Sequence, residues 1–246
     1  MSILVNATTE YLSTTLSTGP TESQNRLIAC WVKWPTGEAL GSTNTIFDLQ
    51  DSGAVMYSRA FTSSVAAPSA ISANGTTSTA LSTGTIPNDL WKLIGLYAGA
   101  NTGSSAGANA QHKLYYDGAN ASGSALGGST VASRVLNTFR IGQQISVANR
   151  WRGYIAEVSI FTPASQAAAD AIMVALATHT ADTIASGTPI FYAPLYSDQT
   201  VDVGGVTLTV NGTPTWHTGA GDHPSVTDAT TAPAATRPSM LLLGVG

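Results

Sequence analysis

The sequence predicts an all-β fold: an antiparallel β-sandwich with one short helix and an extended C-terminal tail. Short runs of strand-forming residues alternate with turn-rich gaps, which is the pattern of a sandwich or barrel. Hydrophobic residues make up 43% of the 246 residues, enough for a sizeable core, and one all-β domain of this length is common. A helical pattern follows the run that ends at Phe161, and we interpret this helix as an addition to the sandwich.

The predicted strands are rich in β-branched and aromatic residues and stop at turn signals. The first ends at Pro35-Thr36-Gly37. Another runs into Asp117-Gly118, a strong hairpin signal because both residues tolerate positive φ. In chain order, we predict strands at residues 26–34, 45–49, 54–61, 90–97, 113–116, 138–142, 154–161, 189–194 and 203–210.

Three gaps between these strands consist mainly of Ser, Thr, Gly, Ala and Asn: residues 62–86, 98–111 and 119–133. Flexible linkers share this composition, but here strands bracket the gaps. We therefore predict long surface loops, which on a rigid scaffold often carry function.

The segment RGYIAEVSIFTPASQAAADAIM, residues 152–173, joins a strand to the predicted helix. Alternation places one set of strand residues on the core face: Tyr154, Ala156, Val158 and Ile160. Pro163 cannot donate to a ladder and ends the strand, and the Ser165 side chain can cap the helix. An Ala-rich helix this short must lie against the sheet, and its predicted buried face is Ala168, Ile172, Ala175 and Leu176.

Charged residues make up only 10% of the chain, and the net charge is −4. The ten basic residues are scattered, which argues against nucleic-acid binding. A surface with so few charges repels neighbouring subunits only weakly. We therefore predict a homo-oligomer or a larger assembly. The sequence shows neither a signal peptide nor a membrane span. Cys30, inside an apolar run, is predicted to be a core residue.

The chain divides into a predicted sandwich domain, residues 1–217, and a Pro/Thr/Ala-rich tail, residues 218–246. The tail ends in an apolar segment. An extended peptide of this kind can add to a neighbour's sheet edge or insert its leucines into a pocket. The residues predicted to bind a protein partner are Met240, Leu241, Leu242, Leu243 and Val245.

The order of motifs resembles the concanavalin A-like sandwich, specifically the laminin G-like jelly rolls often found in phage and bacterial surface proteins. The matching pieces stand at residues 10–13, 28–34, 46–49, 91–97, 113–118, 139–142, 153–161 and 192–195. One departure is Ala156, where the family usually has Asp before the acidic residue that stands here as Glu157. Some relatives bind calcium through loop carboxylates, and the candidates here are Asp48, Asp51 and Asp117. The departure removes one possible ligand, so we predict no cofactor, with calcium as the open alternative.

Catalytic relatives of this sandwich carry Glu and Asp two residues apart on one strand, so that both face the sugar cleft. None of Glu10, Glu22, Glu38 and Glu157 is followed by Asp at that spacing. We therefore predict that the chain is not an enzyme.

Two functions remain. The first is a non-enzymatic, phage-type virion structural protein: a decoration or accessory protein of the capsid or tail. It would be made in the host cytoplasm, lie on the virion surface, and bind neighbouring subunits through its sandwich and tail. The alternative is a carbohydrate-binding, lectin-like module that attaches to host-surface glycans. For that role the predicted exposed ring is Trp151, flanked by Arg150 and Arg152.

Overall fold

A computed structural model gives the fold of the greater part of the chain. It describes residues 2–5, 9–21, 23–38, 43–53, 56–63, 68–74, 77–82, 85–100, 111–125, 134–145, 149–195, 200–217 and 224–226. No helix within these ranges is long and apolar enough to cross a membrane.

The described residues form two antiparallel sheets, which confirms the predicted sandwich. In spatial order, the first sheet contains β10 (Ala119–Ala125), β9 (Gln111–Tyr116), β8 (Trp91–Ala98), β3 (Arg26–Lys33), β12 (Gly153–Phe161), β1 (Ser2–Val5) and β15 (Thr215–His217), with β13 (Pro189–Ala193) also paired to β12. The second contains β14 (Thr209–Asn211), β2 (Tyr11–Thr15), β11 (Leu136–Ile141), β4 (Thr43–Asp51), β5 (Met56–Ser63), β6 (Pro68–Asn74) and β7 (Thr77–Ser82).

The main core lies between the sheets and is formed by alternate residues of strands from both of them. Cys30 is fully buried there, as predicted, and its burial raises the pKa of the thiol. The largest buried side chains of this core include Trp151, Phe47, Phe139 and Phe191. The rings of Phe139 and Phe191 meet edge to face, with centroids 5.4 Å apart, so the two sheets interlock through aromatic contact.

Strand β12 changes partner halfway along its length. Its first half pairs with β1 and its second half with β13, and the register against β3 shifts between Ala156 and Ser159. Glu157 lies in this bulge with φ 55°, a left-handed conformation that is rare for a non-glycine residue. The predicted core face is right for Val158 and Ile160. It is wrong for Tyr154, because the bulge adds a residue and Ile155 enters the main core in its place.

The helix α1 (Gln166–Leu176) follows the predicted junction. Ser165 is the N-cap, and its side chain accepts a hydrogen bond from the Ala168 amide at 3.2 Å. The helix packs on the outer face of the first sheet. Its buried residues are Ala169, Ile172, Met173 and Leu176, and Ala175 packs against them partly buried. The prediction was therefore right for Ile172, Ala175 and Leu176 and wrong for Ala168.

Several strands lie where the sequence predicted loops or nothing. Strands β6, β7 and β10 occupy two of the Ser/Thr/Ala-rich gaps, and β1, β2 and β15 were not predicted at all. In contrast, most of the predicted strand 203–210 is not a strand: only β14 (Thr209–Asn211) forms, at its C-terminal end. The short hydroxyl-bearing residues pair through their backbones with neighbouring strands, and a pattern of local hydrophobicity does not reveal such pairing.

The last described strand, β15, ends at His217. The predicted partner-binding residues, Met240 to Val245, lie outside the described residues, as does most of the second predicted loop, residues 101–110. The boundary between a sandwich and a tail at residue 217, and the binding role of the tail, therefore stay predictions.

Candidate functional site

The outer face of the first sheet is divided into two parts. Helix α1 covers one part, where an outer cluster forms around residues such as Leu27, Leu93 and Tyr115. The other part carries a band of partly exposed rings around Lys33. We call this band the outer aromatic row and define it as Trp91, Lys33, Tyr154 and His217.

Strand register brings the row together. Lys33 on β3 lies directly opposite Trp91 on β8 and Tyr154 on β12. Tyr154 in turn lies opposite Leu4 on β1, and Leu4 lies opposite Thr215 on β15, two residues before His217. Residues opposite each other in a ladder share one face, so all of these side chains point the same way. The flanking residues Val32, Ile155 and Ile3 point into the main core instead.

The members of the row are in mutual contact. The Lys33 ammonium lies 4.4 Å from the ring centroid of Tyr154 and 5.3 Å from that of Trp91. The Trp91 and Tyr154 centroids are 6.3 Å apart, with ring planes at 60°. The Tyr154 and His217 centroids are 4.9 Å apart, with ring planes at 81°. These cation–π and edge-to-face contacts fix the rings before any ligand arrives.

A carboxylate lies at the Trp91 end of the row. Asp89 has φ 59° and is fully exposed, and its oxygens accept hydrogen bonds from the Thr36 hydroxyl at 2.5 Å and the Thr36 amide at 3.1 Å. These bonds lower the pKa of Asp89, and the positive charge of Lys33 lowers it further. Beside it, the side chain of Leu90 is 54% exposed. This end therefore combines a held anion with open apolar surface.

The boundary between the row and the helix-covered part carries a buried acid. Glu157, in the bulge of β12, accepts a hydrogen bond of 2.6 Å from the Tyr192 hydroxyl, and its amide donates to the Pro194 carbonyl at 3.1 Å. Both side chains are at most 5% exposed. The pair locks the bulge, and the bulge turns Tyr154 outward while Val158 turns inward.

The predicted exposed ring is not part of this surface. Trp151 is fully buried in the main core, and its indole N–H donates to the Tyr154 carbonyl at 3.2 Å. The prediction that Trp151 is exposed is therefore wrong: its ring packs over Gly153, where an added Cβ would lie 2.8 Å from the indole nitrogen. Arg150 and Arg152 are partly exposed on either side of it. Glycan binding by this triplet stays an untested prediction, and Trp151 has no free face for stacking.

The three carboxylates considered for calcium each pair with a cation of the protein itself. The pairs are Asp48 with Arg59, Asp51 with Arg134 and Asp117 with Lys92. Burial raises the pKa of Asp48, against the opposing charge of Arg59. No group of three or more Asp, Glu, His or Cys side chains within the described ranges is arranged to hold a metal ion.

A second polar group lies inside the sandwich, away from the row. Arg26 is fully buried, and its Nε donates to the Ser58 hydroxyl on the opposite sheet at 2.8 Å. His112 is also fully buried, and neither ring nitrogen has a hydrogen-bond partner among the described residues. Burial, with the positive charge of Arg26 as a smaller cause, lowers the pKa of His112 to about 4.

Sequence reasoning did not find the outer aromatic row. Trp91 and Lys33 stood in predicted strands, Tyr154 was assigned to the core face, and His217 was placed at the end of the sandwich domain. The available signal was that the polar Lys33 stands between the apolar residues Val32 and Trp34, so its side chain points to the opposite face of the strand from theirs. Only the register between β8, β3, β12 and β15 shows that these side chains meet.

Solved structures with little sequence in common share this architecture. A proposed carbohydrate-binding protein from Bacteroides ovatus has a TM-score of 0.59 at 16% identity, over 87% of this chain and 59% of that chain. A heptameric SAP-like pentraxin from Limulus polyphemus has a TM-score of 0.57 at 14% identity, over 88% and 95%. Domains LG4-5 of the mouse laminin alpha1 chain have a TM-score of 0.51 at 10% identity, over 65% and 42%.

No family model matches the chain, and no curated protein matches it either. The chain spans about three fifths of the Bacteroides chain and about two fifths of the laminin chain. At these identities the likeness concerns the fold alone. The architecture is a jelly-roll sandwich like those of laminin G-like and pentraxin domains, as the order of the sequence motifs predicted.

Proposed function

We propose that this protein is a carbohydrate-binding module and that the outer aromatic row is its sugar-binding surface. The observation that carries the proposal is the row itself: three partly exposed rings and one ammonium group, from four strands, in mutual contact on one sheet face. The apolar faces of sugar rings pack on aromatic side chains. A binding surface also needs a few fixed polar groups, and Lys33 and Asp89 supply a donor and an acceptor beside the rings.

The fold supports this proposal. The Bacteroides structure, itself described as a proposed carbohydrate-binding protein, shares the architecture of this chain. The support is general, because the identity is 16%.

The predicted virion role remains a second hypothesis. The three similar structures are not named as phage proteins. The residues on which that role depends most, Met240 to Val245, lie outside the described ranges. The absence of enzymatic activity, the homo-oligomer and the virion location likewise stay predictions. Deleting residues 231–246 and measuring incorporation into particles tests the virion role independently of sugar binding.

The proposal is tested with the purified full chain on a glycan array, followed by titration calorimetry of the glycans that bind. The test variant is Trp91→Ala, which removes the largest ring of the row. The matched control is Val174→Ala, which removes an apolar side chain that is 65% exposed on α1, outside the row. Thermal unfolding of each variant verifies that the fold is intact.

We expect Trp91→Ala to weaken binding about tenfold, as the loss of one stacking contact implies, and Val174→Ala to leave it unchanged. Binding that is equally strong in the parent and in Trp91→Ala would show that sugars bind elsewhere. The absence of binding to every glycan on the array would refute the proposal.

A further inference from the structure

The outer face of the second sheet carries an arginine with an open, two-donor edge. We infer that Arg140, with Ser13 beside it, binds the carboxylate group of an acidic sugar, in a second site on the side of the sandwich opposite the outer aromatic row. This inference rests on the proposed function for the identity of the ligand as a sugar. It adds a site and the class of sugar: one that carries a carboxylate, as uronic acids do.

Strand register places Arg140 on this face. Phe139 and Ile141, its neighbours in β11, point into the main core, so the side chain between them points outward. Arg140 stands opposite Ser13 on β2 and opposite Asp48 on β4. The Cβ atoms of opposite residues are about 5 Å apart, so one ligand group lying between β2 and β11 can contact both Arg140 and Ser13.

Three contacts fix the guanidinium group of Arg140. Its Nη1 donates to the Gln143 side-chain oxygen at 3.1 Å and to the Gln144 carbonyl at 3.3 Å, both in the connection that follows β11. The Tyr11 ring packs against the guanidinium, with its centroid 4.5 Å from Cζ. A guanidinium held in this way loses little further freedom when a ligand binds.

These contacts leave one edge of the Arg140 guanidinium open. Nε and Nη2 donate to no acceptor among the described residues, and neither atom is buried. The N–H bonds along this edge run parallel, which matches the two oxygens of a carboxylate. Arg140 also forms no ion pair with a carboxylate in the described part of the chain. Its charge is therefore available to a ligand.

The carboxylate opposite Arg140 in the ladder does not occupy this edge. Asp48 is fully buried, and one of its oxygens accepts hydrogen bonds from Gln50 Nε2 at 2.7 Å and from the Ile145 amide at 2.9 Å. The same oxygen lies 3.0 Å from the Arg59 guanidinium, which balances its charge. The positive charge of Arg140 therefore faces solvent, where it attracts an anion.

A second donor lies beside the open edge. The Ser13 hydroxyl oxygen accepts a hydrogen bond from the Asn211 side-chain amide at 3.1 Å. The hydroxyl hydrogen has no acceptor within the described ranges, so it is left to donate to a ligand. A patch that offers a guanidinium edge and a hydroxyl hydrogen favours an anionic ligand over a neutral one. One positive charge here balances the single negative charge of a carboxylate.

The experiment compares glycans that differ only in their anionic group. The full chain is applied to an array of carboxylate-bearing, sulfated and neutral glycans. The carboxylate-bearing glycan that binds best is then converted to its methyl ester, and calorimetry measures the affinity of both forms for the parent, Arg140→Lys and Arg140→Gln. The matched control is Arg134→Gln, which removes the same charge from the segment before β11, where the side chain pairs with Asp51. Thermal unfolding verifies that each variant is folded.

We expect the methyl ester to bind at least tenfold more weakly than the free acid, because it has lost the charge that Arg140 recognises. Arg140→Gln should weaken binding of the acid at least tenfold. Arg140→Lys should weaken it at least threefold, because lysine keeps the charge and loses the parallel donors. Arg134→Gln should bind like the parent. Saturation of the parent with the acid should also shift the Nε–H signal of Arg140 in nitrogen-15 NMR, which is assigned by its loss in Arg140→Lys.

The outcomes separate this inference from the proposed function. Binding of neutral glycans alone, or equal affinity for the acid and its ester, would overturn the inference and leave sugar binding standing. Tighter binding of sulfated glycans would overturn the carboxylate assignment, since a sulfate ester carries the same single charge. An Arg140 Nε–H signal that does not move, or a loss of acid binding in Trp91→Ala with none in Arg140→Gln, would overturn the site. An array without any bound glycan would overturn both proposals.

Discussion

The buried histidine inside the sandwich predicts how stability depends on pH. Burial lowers the pKa of His112 from 6.5 to about 4, so the unfolded chain takes up this proton at a higher pH than the folded protein does. Above pH 6.5, both states are neutral at this position and stability is unaffected. As the pH falls from 6.5 to about 4, the folded state loses stability relative to the unfolded state, and below that the loss is constant.

The size of this effect follows from the same two values. A difference between 6.5 and about 4 corresponds, at about 1.4 kcal/mol for each pH unit, to about 3 kcal/mol of lost stability. The neighbouring Arg26 guanidinium adds to the cost of charging the ring, and no hydrogen bond among the described residues compensates for it.

The assay is urea unfolding of the parent protein and of His112→Leu at intervals between pH 7.5 and pH 4. Other groups titrate in both proteins, so the difference between them isolates His112. At pH 7.5 the variant should be at least as stable as the parent, because both ring nitrogens lack partners among the described residues. At pH 4 its advantage should have grown by about 3 kcal/mol. Parallel pH profiles would refute the reasoning.

Three further predictions concern stability and reactivity. Trp151→Ala should lower the free energy of unfolding by about 3–5 kcal/mol, because it removes a fully buried ring and its hydrogen bond, and calorimetric unfolding measures this. If the variant is folded and still loses sugar binding, the binding role predicted for Trp151 is restored. Gly118→Ala should cost about 1–2 kcal/mol in urea unfolding, because φ is 79° and the new Cβ would lie 3.1 Å from the Met173 carbonyl oxygen; an unchanged midpoint would contradict this. Cys30 should react with a thiol reagent only as fast as the protein unfolds, because burial raises its pKa; rapid labelling of the folded protein would show the thiol to be accessible.

The features that sequence predicted correctly are those with a local cause. The Asp117-Gly118 turn has φ values of 50° and 79°, as its residue types require. Ser165 caps the helix because its hydroxyl reaches an amide three residues on. Cys30 is buried because it stands in an apolar run. Each of these depends on a few neighbouring residues, and the sequence contains all of them.

The features that sequence did not predict have causes far along the chain. The bulge at Glu157 depends on β12 changing its partner from β1 to β13, and these strands lie at opposite ends of the sequence. Trp151 looked exposed because two arginines flank it, but the approach of its ring to Gly153 decides its burial. The outer aromatic row needs the register of several strands at once, which hydrophobic alternation does not specify.

The position of β1 has a consequence for biosynthesis. This strand leaves the ribosome before every other described strand, yet its two neighbours in the sheet, β12 and β15, follow it by about 150 and about 210 residues. At typical translation rates that separation lasts on the order of 10 s or more, during which Ile3 and Val5 have no strand to pair with. The first sheet therefore cannot close until nearly all of the described chain has been synthesised, so closure of the sandwich is a late step in its folding.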